Sequence, residues 1–160
     1  MRSYMCVIAI LTTALVSFGC EQSAGMPPEE LQACKQFIAD IEHSSSTMGE
    51  PALLSMPELS PGETILVTAP YVPTDAWLAQ NTTLSKSGRE IVIDMAGAIE
   101  NIHVFVLNGS SVAFHAVLDQ RFDVEPSQFL LHAGDQLEAV MIERAWRPIV
   151  LQRVDSTGTD

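Results

Sequence analysis

The segment from Ile102 to Leu118 restricts the fold more than any other part of the chain. Its sequence, IHVFVLNGSSVAFHAVL, has runs of β-branched and aromatic residues on both sides of Asn108-Gly109. Because both of these residues tolerate positive φ, they predict a tight turn between two antiparallel strands. A two-residue turn pairs Phe105 with Val112, and a four-residue turn shifts the pairing by two residues without changing either face. Both faces are apolar, which predicts a hairpin covered on each side within a sheet.

The four histidines of the chain do not form a metal-binding pattern. Alternation along the hairpin places His103 and His115 on opposite faces in either register, so we expect that they do not share an ion. We expect His43 to lie in a polar loop, and His132 precedes the turn at Ala133-Gly134. The chain contains no H-x-x-x-H or C-x-x-C spacing. The sequence therefore predicts neither a metal site nor a cofactor.

The segments around the hairpin predict both helices and strands. Pro27 and Pro28 precede an amphipathic helix, since proline is well accommodated in a first turn. Its apolar side chains recur every three or four residues, at Leu31, Cys34, Phe37, Ile38 and Ile41. Thr74 is placed to cap a short helix in PTDAWLAQ. The runs TILVTAPY, IVIDMA, LEAVMIE and RPIVLQRV predict further strands, and proline-rich 51–61 predicts irregular structure.

These elements predict an α+β fold. In it, the N-terminal amphipathic helix packs on a mostly antiparallel sheet of about five or six strands. We expect a single α+β domain over residues 29–154, preceded by a tether at 20–28 and followed by a flexible tail at 155–160.

The first 19 residues have the organisation of a secretory signal peptide. Arg2 provides an early positive charge, an apolar run continues to Phe18, and the small residue Gly19 follows. The 15 residues from Tyr4 to Phe18 reach only about 22 Å as a helix, less than the ~30 Å hydrocarbon core of a bilayer. Export followed by cleavage is therefore favoured over a membrane-spanning helix.

The end of this leader resembles the lipobox of bacterial lipoproteins. Gly19 and Cys20 match the pattern, and Ser17 stands where leucine is usual. The resemblance implies cleavage before Cys20 and lipidation of its thiol, with palmitate among the acyl chains. Because Glu21 rather than aspartate follows, it also implies transport to the outer membrane, facing the periplasm. The alternative is that ordinary signal peptidase cuts at the same bond, since Ser17 and Gly19 are both small.

The cysteines distinguish these alternatives. Cys6 leaves with the leader, so Cys20 and Cys34 remain. If Cys20 carries lipid, Cys34 is a lone thiol; if it does not, an oxidising compartment allows a bridge between the two. The helical spacing of Cys34 predicts a small buried apolar residue, which favours the lipid.

The charge of the exported part excludes one class of partner. After residue 19 the chain keeps 20 acidic and 7 basic residues, a net charge of −13. Such a surface repels phosphate backbones, so we expect no nucleic-acid binding.

The sequence thus predicts a lipid-anchored envelope protein that acts by contacts with another envelope protein, without enzymatic activity. One alternative is a periplasmic small-ligand binding domain whose cleft is lined by Tyr71, Trp77 and Trp146. A less favoured one is a hydrolase using His115 and Asp119, since no G-x-S-x-G accompanies the serines of the hairpin turn.

Overall fold

The computed structural model describes residues 25–44, 50–143 and 146–154. The predicted signal peptide, Cys20 and the predicted tail at 155–160 lie outside the described residues. The described elements are α1 (Pro28–His43), β1 (Ala52–Ser55), β2 (Glu63–Thr68), α2 (Asp75–Asn81), α3 (Lys86–Ala96), β3 (His103–Asn108), β4 (Ser111–Val117), β5 (Phe122–Val124), β6 (Gln128–Leu131), β7 (Gln136–Met141) and β8 (Ile149–Val154). None of the helices in these ranges has the length and apolar content needed to cross a membrane.

The fold is α+β with mostly antiparallel pairing, as the sequence predicts. Its strands form two four-stranded sheets, in the orders β1-β7-β8-β5 and β4-β3-β2-β6. Only β5 and β8 are parallel among the paired strands described. The prediction of one sheet of five or six strands is therefore wrong in its count. It missed the short strands β1, β5 and β6, which have 4, 3 and 4 residues, and it counted the segment of helix α3 as a strand.

A first apolar cluster joins α1 to both sheets. From α1 it includes Cys34, Phe37, Ile38 and Ile41, the spacing that predicted an amphipathic helix. Ile65 and Val104 contribute from one sheet, and Leu137 and Leu151 from the other. Burial of this many apolar side chains is the main driving force for folding of the chain.

A second apolar cluster covers the opposite face of β2 and β3. Leu66 and Phe105 from the strands pack there with Leu78 of α2 and with Val92 and Ala96 of α3. Strand β3 is therefore covered on both faces, as its all-apolar pattern predicts.

Helix α3 corrects the prediction of a strand at IVIDMA. The side chain of Ser85 accepts a hydrogen bond from the Gly88 N–H at 3.1 Å and caps the helix. Gly88, Val92 and Ala96 are buried at a spacing of four, which is the period of a helical face. The cap and the packing on the second apolar cluster outweigh the strand propensity of the β-branched residues in this segment.

The hairpin contains a bulge that the apolar pattern did not reveal. Leu107 pairs with Val112, whereas Val106 pairs with Phe114, so that Ala113 is an extra residue in β4. Beyond Ala113 the faces of β4 are exchanged relative to a regular ladder. His115 consequently lies opposite Phe105.

Candidate functional site

Three exposed residues are associated with the loop between α3 and β3: Ile99 lies in it, Tyr71 contacts Gly97, and Trp146 precedes Arg147, which binds Glu100. Tyr71, Ile99 and Trp146 are 64%, 47% and 59% exposed. We call these three residues the 97–101 surface, after the loop that they adjoin. Large apolar side chains exposed on one region of a folded domain are typical of an interaction site.

Two hydrogen bonds connect this surface to the end of α3 and to the loop that follows it. The N–H of Tyr71 donates to the carbonyl of Ala96 at 3.1 Å. A Cβ built on Gly97 would lie 3.8 Å from Cδ1 of Tyr71, so the ring lies beside this glycine. On the other side of the loop, Nη2 of Arg147 donates to the carbonyl of Glu100 at 2.8 Å.

The backbone is strained at both attachment points. Tyr71 has φ of 61° and Arg147 has φ of 51°, and these are the non-glycine residues with positive φ in the described ranges. Each such conformation costs about 1–3 kcal/mol and persists only where the surroundings enforce it. At Arg147 the guanidinium lies 5.8 Å from the ring centroid of Trp146, and its Nη1 lies 4.0 Å from Oδ1 of Asp123. Strained residues of this kind concentrate at functional sites.

The three aromatic residues predicted for a ligand cleft differ in burial. Tyr71 and Trp146 belong to the 97–101 surface. Trp77 is instead partly buried in α2, against the second apolar cluster. A cleft shared by all three stays a prediction.

His103 and His115 are in direct contact, which corrects the expectation that they lie on opposite faces. Nδ1 of His103 lies 2.9 Å from Nε2 of His115, and the two rings are stacked with centroids 5.2 Å apart. His115 also stacks on Phe105 at 4.4 Å. The bulge at Ala113 brings the histidines to the same face.

The hydrogen bonds define how the protons are distributed in this pair. Nε2 of His103 lies 2.9 Å from the carbonyl of Ile99, so it must carry a proton and donate it. Nδ1 of the neutral His103 ring is then an acceptor, and Nε2 of His115 is its donor. Burial lowers the pKa of His103, and the hydrogen bond to the Ile99 carbonyl opposes this shift. Burial also lowers the pKa of His115, and the unfavourable interaction with a protonated His103 adds to the effect, so that its pKa is about 4. Both rings are neutral at pH 7.

The residues weighed for hydrolysis are not assembled into a catalytic group. Asp119 pairs with Arg121 at 2.7 Å rather than with His115. Ser111 donates its hydroxyl proton to the carbonyl of Asn108, within the turn. His115 is engaged with His103, so the hydrogen bond between base and nucleophile that activates a serine is not formed here.

A pocket of about 610 Å³ opens elsewhere on the molecule. We call it the polar pocket because most of its lining residues have polar side chains, although apolar atoms form the larger part of its wall. It lies between the turn that precedes β2, the end of α2 and the turn after β6. Its lining comprises Leu59, Ser60, Pro61, Gly62, Glu63, Thr64, Gln80, Asn81, Thr82, Thr83, His132 and Ala133. None of the three aromatic residues proposed for a ligand cleft is among them.

Glu63, which lines this pocket, interacts with the carboxyl group of Glu30. Glu63 is only 6% exposed, and its Oε2 accepts from the Ser60 N–H at 2.8 Å. The Ser60 hydroxyl donates to Oε1 of Glu30 at 2.7 Å, while Oε2 of Glu30 is buried without a partner. Burial raises the pKa of Glu63, the Ser60 N–H opposes this, and the Glu30 carboxyl raises it further. A proton shared between the carboxyls would provide a partner for Oε2 of Glu30.

Sequence reasoning missed this pair because the two glutamates are far apart in the chain. Glu30 was visible only as an acid in the first turn of a helix, and Glu63 only as part of a turn. No local spacing signals a contact between them.

Cys34 lies next to the carboxyl pair and is fully buried as a free thiol. Burial and the charges of Glu63 and Glu30 raise its pKa to about 11, which keeps it protonated and unreactive at neutral pH. Within the described ranges, no group of three or more His, Cys, Asp or Glu side chains is arranged to hold a metal ion.

Comparison with known proteins does not assign this arrangement to a family. No protein-family model matches the chain, and no curated protein or solved structure is significantly similar to it.

Proposed function

We propose that this protein is a bacterial envelope lipoprotein that binds another envelope protein through the 97–101 surface. The lipid is carried by Cys20, and the domain faces the periplasm from the outer membrane. The observation that carries the proposal is that two exposed aromatic residues, Tyr71 and Trp146, lie at strained points of the backbone, Tyr71 itself and the neighbouring Arg147. Both points are hydrogen-bonded to the segment 96–100.

The composition of the surface supports binding of a protein. Tyrosine and tryptophan offer large contact areas at a low cost in conformational entropy, and they dominate the binding energy of many interfaces. The backbone N–H of Tyr71 is hydrogen-bonded to Ala96, and the side chain of Arg147, next to Trp146, is hydrogen-bonded to Glu100. A surface preorganised in this way loses little entropy when a partner binds.

The charges near the surface indicate the chemistry of the partner. Asp94, Glu100 and Glu143 are exposed on the segments that carry or flank it. The nearest basic side chain in sequence, Arg147, is largely buried and lies beside Asp123. A complementary partner therefore presents apolar side chains together with lysine or arginine.

A photo-crosslinking amino acid introduced at Tyr71 or Trp146 tests the proposal in intact cells. Leu53 provides the matched control, because it is 57% exposed but lies on β1. We expect one discrete adduct from positions 71 and 146 that does not form from position 53. An adduct pattern identical at all three positions, or no adduct from 71 and 146, would contradict the proposed surface.

Binding of a small ligand is the second candidate function, and the polar pocket favours it. The volume of about 610 Å³ falls within the range of small-molecule sites. None of the aromatic residues that the sequence assigned to a ligand lines this pocket, so it needs its own chemical assignment.

A further inference from the structure

The walls of the polar pocket have an unusual distribution of hydrogen-bonding groups. Ser60, Thr82 and Thr83 each line the pocket and each donate their hydroxyl proton to another group of the protein. The acceptors are Oε1 of Glu30 and the carbonyls of Leu78 and Gly109, all at 2.7 Å. These hydroxyl groups are therefore left with oxygen lone pairs as acceptors, and that of Thr82 already accepts one hydrogen bond, from the Leu84 N–H at 3.3 Å.

Asn81 has the same bias at the end of α2. Its Nδ2 donates one N–H to the carbonyl of Trp77 at 2.8 Å, which leaves Oδ1 as an acceptor beside a single remaining N–H. Glu63 adds a carboxyl oxygen as an acceptor in the pocket wall, and this carboxyl group interacts with that of Glu30. The side chains of Gln80 and His132 also line the pocket and retain donors. Acceptors therefore predominate over donors.

We propose that the pocket binds a small organic cation with primary ammonium groups, of the polyamine class. An ammonium group has three N–H donors and no acceptor, so it complements a wall of lone pairs with a carboxyl pair behind it. The net charge of −13 in the exported part increases the local concentration of such a cation. Anionic ligands meet the same lone pairs and are repelled.

This inference is independent of the 97–101 surface, which lies on other segments of the chain. The pocket is built by the turn before β2, the end of α2 and residues 132–133. Loss of ligand binding and loss of the protein crosslink are therefore separate outcomes.

Titration calorimetry with spermidine, in buffer containing about 150 mM salt, tests the assignment. Salt at this concentration screens diffuse attraction to exposed acids over distances beyond about 8 Å. We expect saturable binding of spermidine and none of a neutral diol of similar length or of inorganic phosphate. Absence of saturable spermidine binding, or equal binding of the diol, would overturn the proposal.

Two pocket variants and one control locate the site. Glu63→Gln and Asn81→Ala should each weaken spermidine binding, by about tenfold for the loss of one charged contact. Glu90→Gln removes the same charge from an exposed position on α3 and should change the affinity less than about twofold. Asn81 is exposed, so this variant keeps the test decisive if Glu63→Gln fails to fold. If Glu90→Gln weakened binding as much as Glu63→Gln, and Asn81→Ala left it unchanged, spermidine would bind the acidic surface and not the pocket.

Discussion

Nε2 of His115 lies 2.9 Å from Nδ1 of His103, and this contact depends on one extra residue in the hairpin. The shift in pairing between Val106 and Leu107 leaves Ala113 without a partner and turns His115 to the face of Phe105. A hairpin of the same sequence without the bulge would place the two rings on opposite sides of the sheet. The bulge thus creates a buried pair of neutral imidazoles.

This pair should make the protein less stable in acid. The pKa of His115 in the folded state is about 4, below its ordinary value of 6.5, so the unfolded chain binds more protons between these pH values. The free energy of unfolding therefore decreases as the pH falls from 7 toward 4. Urea denaturation of wild type and His115→Gln at pH 7 and pH 5 measures the effect, since glutamine keeps a donor for His103 and does not titrate.

We expect the wild type to lose more stability between these two pH values than the variant loses. Equal losses would mean that His115 titrates normally in the folded protein.

The carboxyl pair should have the opposite dependence on pH. The pKa of Glu63 is raised above 4.5, so the folded state holds its proton more tightly than the unfolded chain does. Its contribution to stability is present at low pH and decreases as the pH rises above 4.5. In Glu30→Gln the amide donates to Glu63 and still accepts from Ser60, so the variant should lose less stability between pH 4.5 and 8. Equilibrium unfolding across this range checks the result.

Glu29→Gln is the matched control, because Glu29 is exposed in the same helical turn. The interaction between Glu30 and Glu63 would be contradicted if the stability of both variants had the same pH dependence. It would also be contradicted if the stability of Glu30→Gln decreased with pH as steeply as that of the wild type.

Local periodicity determined which parts of this fold could be predicted. Helix α1, strand β2 and the turn at Asn108-Gly109 follow patterns that neighbouring residues set by themselves. The bulge at Ala113 could not be found in this way, because inserting one residue into an apolar run leaves the run apolar. Helix α3 was visible in principle through Ser85 and the four-residue spacing of its buried face, but its β-branched residues favoured a strand.

The candidate site was predictable only in part for a related reason. Tyr71 and Trp146 stood out as aromatic residues, but their strained φ values and their attachment to one loop arise from tertiary contacts. The contact between Glu30 and Glu63 also depends on how α1 packs. No property of either residue's neighbours in the sequence predicts it.

Gly88 is required where α3 approaches the turn of the hairpin. A Cβ at this position would lie 2.9 Å from the carbonyl oxygen of Ser110 and 3.1 Å from Cδ2 of Leu84. We expect Gly88→Ala to decrease the free energy of unfolding by roughly 1–3 kcal/mol, despite a gain in helix propensity of up to about 1 kcal/mol. Chemical denaturation measures both this variant and Ser87→Ala.

Ser87 is exposed in the same turn of α3, so Ser87→Ala should change the stability by less than about 0.5 kcal/mol. If Gly88→Ala were as stable as the wild type, α3 would not approach the hairpin turn as closely as the structure shows.

The conformation of Tyr71 can be tested with a pair of substitutions. Both Tyr71→Gly and Tyr71→Ala remove the aromatic ring, but only glycine adopts a φ of 61° without steric cost. We therefore expect the glycine variant to be more stable than the alanine variant by roughly 0.5–1 kcal/mol in thermal or chemical unfolding. The opposite order would show that φ at this residue is negative.

The mass of the protein extracted from native membranes shows whether Cys20 carries a lipid. We predict a chain that begins at Cys20, carries acyl chains on that residue and retains an unmodified thiol at Cys34. A chain that begins at Met1, or one that begins at residue 20 without lipid and with a bridge from Cys20 to Cys34, would contradict this prediction.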